Sequence, residues 1–310
     1  MQPPAKLVWS DGRLVAWEEC RVHVMASTLH YGVGVFEGVR CYTQPDGKPA
    51  IFRLAEHVDR LIDSARCVAM ELPFDRAALA AACKDVVRAN GFSDCYLRPV
   101  ALHDFGEPGL GAVNPVRVAV VAFPWGAYLG KEGLERGIKT TISSWIRHHP
   151  GAAMMRAKIS GQYVTSVLAK RLAKQNGFDE AIFCDAQGVV CEGTGENLFI
   201  VKDRVLKTPP THGAILAGIT RDSVLDLARE LARERGLEVR EEPFLRDELF
   251  LADEAFFTGT AAEVTPIRSV DHRPIGAGAR GPITAELQAR FFRAARGEDA
   301  KRRHWLAPVG

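Results

Sequence analysis

Several things are missing from this chain of 310 residues, and each absence removes a class of function. No apolar run approaches the roughly eighteen residues that a membrane-spanning helix needs, so no membrane partner is expected. The first residues, Met1-Gln2-Pro3-Pro4-Ala5-Lys6, enter a strand without a long apolar stretch. A secretory signal is therefore not expected, and the cytoplasm is the expected compartment. The seven cysteines (Cys20, Cys41, Cys67, Cys83, Cys95, Cys184 and Cys191) are odd in number and scattered. They form no CxxC pair and no zinc spacing, which points to reduced, mostly buried thiols. No HExxH occurs, and His148-His149 stands beside Pro150, so a metal site is not expected. Net charge is only +2, which gives nucleic acid no electrostatic reason to bind. Internal repeats and low-complexity tracts are absent as well.

What is present fits a globular enzyme-sized protein. Apolar residues make up 47% and charged residues 25%, enough for a sizeable core under a charged surface. The length suits two domains of ordinary size or one large one. Asp11-Gly12 joins two short apolar runs as a hairpin, and Asp46-Gly47 joins Cys41-Tyr42 to Ile51-Phe52 in the same way. Val58, Leu61, Ile62 and Ala65 recur at a helical period over residues 55–69. Asp75 can cap a second helix that stops at Asn90-Gly91. Strands are expected over 95–100 and 117–123.

The stretch 124–137 is rich in glycine and charge, and reads as a linker between a small N-terminal domain (1–123) and a larger C-terminal one (138–310). In the second domain, Ser160 can cap a helix carrying Val164, Val167, Leu168 and Leu172 on one face. Strands at 181–184, 198–202 and 237–241 alternate with helices near 220–235 and 284–295. The whole reads as mixed α/β of an α+β-like kind, with largely antiparallel or mixed sheets rather than a doubly wound fold.

The most informative segment is Glu192-Gly193-Thr194-Gly195-Glu196-Asn197. Two carboxylates and an amide sit where glycines let the backbone approach a ligand closely. Buried carboxylates need compensation, and a cationic heterocycle, a metal or a structural network could each supply it.

Other patterns carry less. Gly276-Ala-Gly278-Ala-Arg-Gly281 matches GxGxxG, but no apolar strand leads into it, so a loop before the last helix is expected rather than a dinucleotide site. The glycines between Gly32 and Gly38 miss that spacing by one. Lys170 and Lys174 on one helix face read as solvated charges. Among the eleven lysines, only Lys6 and Lys158 have apolar neighbours on both sides.

Seven segments recur in a recognisable order. They are Tyr31-Gly-Val-Gly-Val-Phe36-Glu-Gly38-Val-Arg40, Tyr96-Leu-Arg98-Pro99, Ala122-Phe-Pro-Trp125-Gly-Ala-Tyr128-Leu-Gly130, Ala157-Lys158, Glu192 through Phe199, Gly218-Ile219-Thr220-Arg-Asp222, and Gly259-Thr260-Ala261-Ala262-Glu263. Together they resemble a bacterial-type branched-chain amino acid aminotransferase of the fold-type IV pyridoxal-phosphate class, over essentially the whole chain. The resemblance implies the two-domain fold of that class, pyridoxal 5'-phosphate as cofactor, and amino transfer from L-leucine, L-isoleucine or L-valine to 2-oxoglutarate. The same fold also hosts D-amino acid aminotransferases, (R)-amine transaminases and aminodeoxychorismate lyases. The D-specific branch resembles Arg-x-His where this chain has Arg98-Pro99-Val100, and Pro124-Trp125-Gly126 favours the branched-chain branch.

The resemblance also implies residue roles. Lys158 would hold the cofactor covalently and then carry the proton of the reaction; a lysine that attacks a carbonyl must be deprotonated, which partial desolvation favours. Glu192 would face the pyridine nitrogen and keep it protonated, with Glu196 and Asn197 supporting the ring edge. Ile219 and Thr220 at a helix start, Arg60 and Thr260 would hold the phosphate. Tyr163 would hydrogen-bond the ring hydroxyl. Substrate-binding roles fall to Tyr31, Phe36, Gly38, Arg40, Tyr96, Arg98, Trp125, Tyr128, Thr260 and Ala261. Phe36, Trp125, Tyr128 and Tyr163 would form the apolar wall, and Tyr31 and Arg98 would take the glutamate side chain. Tyr31 and the loop 103–113, through Leu110 or Val113, would reach the site of a second subunit. That implies an active homodimer, or a trimer of such dimers.

Overall fold

The computed structural model describes residues 4–126 and 128–310. Met1–Pro3, at the expected strand entry, and Ala127, inside the segment Ala122–Gly130, lie outside the described residues. The chain divides into two compact units. The first takes Met1–Gly126, Ala157–Tyr163 and Ala294–Gly310, and the second takes Ala127–Arg156 and Val164–Arg293.

The first unit is built on an antiparallel sheet. Its strand order is Leu306–Pro308, Pro49–Phe52, Val39–Thr43, Cys95–His103, Val116–Phe123, Leu7–Ser10 and Arg13–Ala16, with Gly34–Phe36 also paired to Cys95–His103. Asp11 and Gly12 both adopt positive φ (48° and 94°), the twist that a two-residue hairpin needs. The helices Leu54–Cys67 and Arg76–Asn90 send Val58, Leu61, Ala65, Leu79, Val86 and Val87 into one core with Val39, Leu97 and Val120 of the sheet. The Asp75 side chain accepts the Ala78 N–H at 2.8 Å, and Gly91 ends the second helix at φ 67°.

The second unit carries a mixed sheet. Its strand order is Val190–Gly193, Glu180–Cys184, Ile138–Ile142, Glu263–Val270, Glu254–Gly259, Asn197–Lys202, Val205–Thr208 and Glu238–Glu241. The pairing of Glu192 with Asn197 joins Val190–Gly193 back to Asn197–Lys202 and closes six of these strands into a ring. The turn singled out from the sequence is thus the seam of that ring. Phe244, Phe257, Leu198, Ile200 and Ile267 fill one side of the sheet's core. Helices run over Tyr163–Gln175, Ile219–Arg235 and Pro282–Ala295.

Two expectations need correction. The Ser160 side chain does not cap a helix: a 3-10 turn over Ser160–Gln162 leads directly into Tyr163–Gln175, with no side-chain cap at its start. The apolar stripe of that helix faces outward, with Val164 60% and Val167 45% exposed, while Ser166, Ala169 and Ala173 are buried. Small residues let the helix lie close to the sheet, and the larger apolar ones are left on the surface. Lys170 is not a solvated charge, because Glu180, fully buried, binds its ammonium group. Lys174 is exposed as expected. Residues 276–281 form the expected loop before the helix Pro282–Ala295. Among the described residues, no helix is long and apolar enough to cross a membrane.

Candidate active site

In the first unit, the backbone of Lys158 is held from both sides. Its N–H donates to Ser64 Oγ at 2.9 Å, and its carbonyl accepts the Phe36 N–H at 3.1 Å. The side chain is partly buried, and Nζ donates to Tyr163 Oη at 2.8 Å. Nζ also lies 5.2 Å from the centroid of the Phe36 ring and 5.2 Å from that of Tyr163. Those two rings are 4.9 Å apart. A primary amine is thereby fixed at both ends among aromatic faces.

The same rings lead to Arg98, whose guanidinium carbon stands 4.8 Å over Phe36 and 5.4 Å over Tyr96. Its Nε is buried with no hydrogen-bond partner among the described residues. Tyr96 continues the row to Trp125, edge-on at 4.6 Å, and Arg40 Nη2 donates to Gly126 O at 2.7 Å beside it. Glycine at position 38 makes room for Tyr96, since a Cβ there would sit 1.8 Å from Tyr96 Oη. Phe36, Gly38, Arg40, Tyr96, Arg98, Trp125, Lys158 and Tyr163 therefore fall into one neighbourhood. Tyr31 stands apart from this contact row, 46% exposed at the end of the short helix Ser27–Tyr31.

Arg60 is anchored by a residue that sequence patterning overlooked. Glu37, fully buried, receives Arg60 Nε at 2.6 Å and Nη2 at 2.9 Å, and His57 Nδ1 lies 2.7 Å from the same carboxylate. Burial pushes the Glu37 carboxyl up, but the Arg60 guanidinium and the His57 hydrogen bond outweigh it and hold Glu37 well below the usual carboxylate range. Burial also pushes His57 down, against the opposing pull of Glu37. The signal available in sequence was Glu37's place inside the segment Phe36-Glu37-Gly38.

In the second unit, the turn 192–197 is tight: Gly193 N–H donates to Glu196 O at 2.7 Å. Glu192 is 4% exposed. Its Oε1 meets Arg147 Nη2 at 2.6 Å, and its Oε2 accepts Asn197 Nδ2 at 3.1 Å and Leu216 N–H at 3.0 Å. Asn197 also donates to Leu216 O at 2.8 Å. Two residues beyond Leu216 comes Gly218, followed by the helix Ile219–Arg235. Ile219 and Thr220 at its first turn are buried, and the N-cap residue, Gly218, has no side chain to cap that end. A buried helix start without a side-chain cap is suited to an anion. A Cβ on Gly218 would meet Asn197 Oδ1 at 1.9 Å, so the turn and the helix start fit together only with glycine there. Thr258, Gly259 and Thr260 run beside the turn: Asn197 pairs with Thr258, and a Cβ on Gly259 would lie 3.4 Å from Glu196 Cγ. Thr258 Oγ1 is buried without a partner among the described residues.

Glu196 faces a different environment from Glu192. It accepts Gly195 N–H at 3.0 Å, and burial followed by repulsion from Glu180 pushes its carboxyl up to about 8. Glu180 itself accepts Thr194 Oγ1 at 2.7 Å and binds Lys170, over which the Tyr128 ring lies at 5.1 Å. Among the described residues, no group of three or more His, Cys, Asp or Glu side chains is placed to hold a metal ion.

Each unit by itself carries features that fit pyridoxal 5'-phosphate on chemical grounds: the first a held amine with a phenol beside it, the second a buried carboxylate accepting three donors and joined through Leu216 to a buried helix start. A family model for amino-transferase class IV matches residues 34–270. The chain is 48% identical over 304 residues to a branched-chain-amino-acid aminotransferase of Pseudomonas aeruginosa, covering 98% of this chain and 97% of that one. It is 46% identical over 310 residues to the enzyme of the same name from Escherichia coli K12, with 98% of each covered. The fold is similar to the crystal structure of the Escherichia coli branched-chain amino acid aminotransferase, with a TM-score of 0.93, 44% identity, and 99% and 100% of the two chains covered. It is similar also to the PLP-form (holo-form) of the branched-chain amino acid aminotransferase from Thermobaculum terrenum, with a TM-score of 0.92, 37% identity and 100% of each chain covered. The held lysine, the buried carboxylate and likeness on this scale have one common reading: the chain belongs to the class IV aminotransferases and, within them, to the branched-chain-amino-acid aminotransferase family.

Proposed function

We propose that the protein moves the amino group of L-leucine, L-isoleucine or L-valine to 2-oxoglutarate in two half-reactions, releasing the 2-oxo acid and then L-glutamate. The observation that carries this reading is the Lys158 amine, held 2.8 Å from Tyr163 Oη between two aromatic faces. Pyridoxal 5'-phosphate, when bound, supplies an aldehyde that takes up the amino group and a ring that accepts the Cα electrons.

The chain's own residues do the rest. Lys158 would anchor the cofactor and, once displaced by substrate, would move the proton from the substrate Cα to the cofactor's C4′, and in the opposite direction in the second half. Tyr163 holds the lysine amine and the ring hydroxyl. Glu192 takes the ring nitrogen, with Asn197 orienting it and Glu196 beside it. Arg60, the N–H groups of Ile219 and Thr220, and the Thr260 hydroxyl take the phosphate. Phe36, Tyr96, Trp125 and Tyr128 exclude water and offer a branched side chain an apolar wall, with Gly38 giving the room and Arg40 fixing the loop at Trp125. Arg98, stacked on two rings with Nε unpartnered, supplies the charge for the glutamate carboxylate. Thr260 and Ala261 N–H groups receive the α-carboxylate.

Self-association as a homodimer, or a trimer of dimers, belongs to this reading. Its support is the exposed apolar surface at Leu29, Tyr31, Leu110 and Val113, of which the last two are 88% and 95% exposed. Light scattering with a single monomer mass would overturn it. A cytoplasmic location is proposed with it, tested by fractionation. The chemical assignment is tested by the visible absorption band of the lysine-bound cofactor. The band appears in wild type on adding cofactor and is lost in Lys158→Ala; no band in wild type, or an undiminished one in the variant, refutes it.

A further inference from the structure

Arg147 lies in the irregular stretch between Ile142 and Ala157, where its backbone N–H donates to Cys184 O at 2.8 Å. Only 9% of the residue is exposed. Its guanidinium carbon stands 5.6 Å over the Phe183 ring, and Nη2 reaches Glu192 Oε1 at 2.6 Å. The pair joins distant parts of the chain, and neither the turn motif nor its neighbours announce it.

Three of the groups that hold Glu192 have one property in common. A guanidinium, a side-chain amide N–H and a backbone N–H are all donors, and the guanidinium does not give up its proton in a protein. Three donors, one of them a fixed cation, favour Glu192 as the ionised acceptor. Such a carboxylate satisfies a pyridine nitrogen only if the nitrogen carries the proton. Without a cation, a carboxylate this deeply buried would take the proton itself.

We infer that Arg147 is a positioning residue that keeps the shared proton on the cofactor's ring nitrogen by holding Glu192 ionised. Arg147 acts through Glu192, so the inference rests on the assignment of Glu192 to the ring nitrogen. It adds the reason why that carboxylate, and not the ring, is the unprotonated partner. Glu196, two positions past the central Thr194 of the same turn, has no such cation on its own oxygens among the described residues and is pushed to about 8 instead.

The test uses holoenzyme loaded with pyridoxal 5'-phosphate labelled with nitrogen-15 in the ring, whose NMR shift separates protonated from unprotonated pyridine. Wild type keeps the protonated signal from mildly acid to mildly alkaline pH. In Arg147→Gln the midpoint for ring protonation falls by roughly one to three pH units, the scale set by one close opposite charge. In Arg147→Lys the protonated signal is retained at neutral pH but lost at lower pH than in wild type, because an ammonium titrates and a guanidinium does not. A folded Arg147→Gln with the wild-type titration overturns the inference, even if it melts earlier. Should that variant fail to fold, an Arg147→Lys titration identical to wild type overturns it equally. Glu192→Gln separates the two levels. A lost protonated signal there with no change at Arg147 refutes only the role of Arg147, whereas no change in Glu192→Gln refutes the assignment of Glu192 itself.

Discussion

Glu196→Gln should stabilise the cofactor-stripped protein at neutral and alkaline pH while slowing the enzyme. Glu196 is 5% exposed, and its carboxyl is pushed from 4.5 to about 8 by burial and by the nearby Glu180 carboxylate. The sign follows from which state holds the proton. Between these two values the folded chain keeps a proton that the unfolded chain has released, so stability falls as pH rises across the window. Below 4.5 both states are protonated and nothing is lost; above about 8 the full cost is present. One proton over that window corresponds to about 5 kcal/mol at 1.4 kcal/mol per unit, and relaxation of the structure around the ionised carboxylate makes this an upper figure. Glutamine keeps an acceptor for the Gly195 N–H, which the glutamate now meets at 3.0 Å, and carries no charge toward Glu180. Urea denaturation of both proteins at about pH 5 and about pH 9 reads the effect. Near-equal stability at the lower pH, and a variant more stable by about 2–4 kcal/mol at the higher, is the expected outcome. A variant no more stable than wild type at high pH, or with the same pH slope, would refute the reasoning.

Three further substitutions probe other parts of the structure. Lys170→Met strands the buried Glu180 carboxylate and should cost about 3–5 kcal/mol, whereas Lys174→Ala on the exposed side should leave the denaturation midpoint near wild type. Equal midpoints for the two variants would contradict the structural role given to Lys170. Gly38→Ala forces Tyr96 Oη away from a Cβ placed 1.8 Å from it. It should cost about 1–3 kcal/mol and raise KM for L-leucine, since Tyr96 also stacks on Arg98 and Trp125. A thermal melt and a KM both unchanged would show that the ring row tolerates the shift.

Features set by near neighbours were legible in the sequence. Asp11-Gly12 and Asp46-Gly47 became hairpin turns, Asp75 capped its helix and Gly91 ended it, because the chemistry that decides each lies within a few residues. The family segments likewise pointed to Lys158, Phe36, Tyr96 and Trp125, which do cluster. Pairings between distant residues were not legible. Nothing beside Arg147 announces Glu192, nothing beside Lys170 announces Glu180, and the bond of Glu37 to Arg60 and His57 needs the strand and helix already in place. Periodicity also reveals a face without its direction, which is why the stripe Val164–Leu172 gave no hint that it looks outward. The ring closure at Glu192 and Asn197 is of the same kind, a single long-range seam that no local pattern encodes.

The central claim is that Lys158 moves a proton for amino transfer from branched-chain L-amino acids. Its most direct measurement is the single-turnover half-reaction, followed by the change of the cofactor's visible band, in wild type and Lys158→Ala loaded with pyridoxal 5'-phosphate. The account predicts a fast reaction of wild type with L-leucine, a slower one with D-alanine or (R)-1-phenylethylamine, and near-complete loss with every substrate in the variant. A wild type that reacts faster with D-alanine or the amine than with L-leucine, or a variant that keeps its rate, would contradict it.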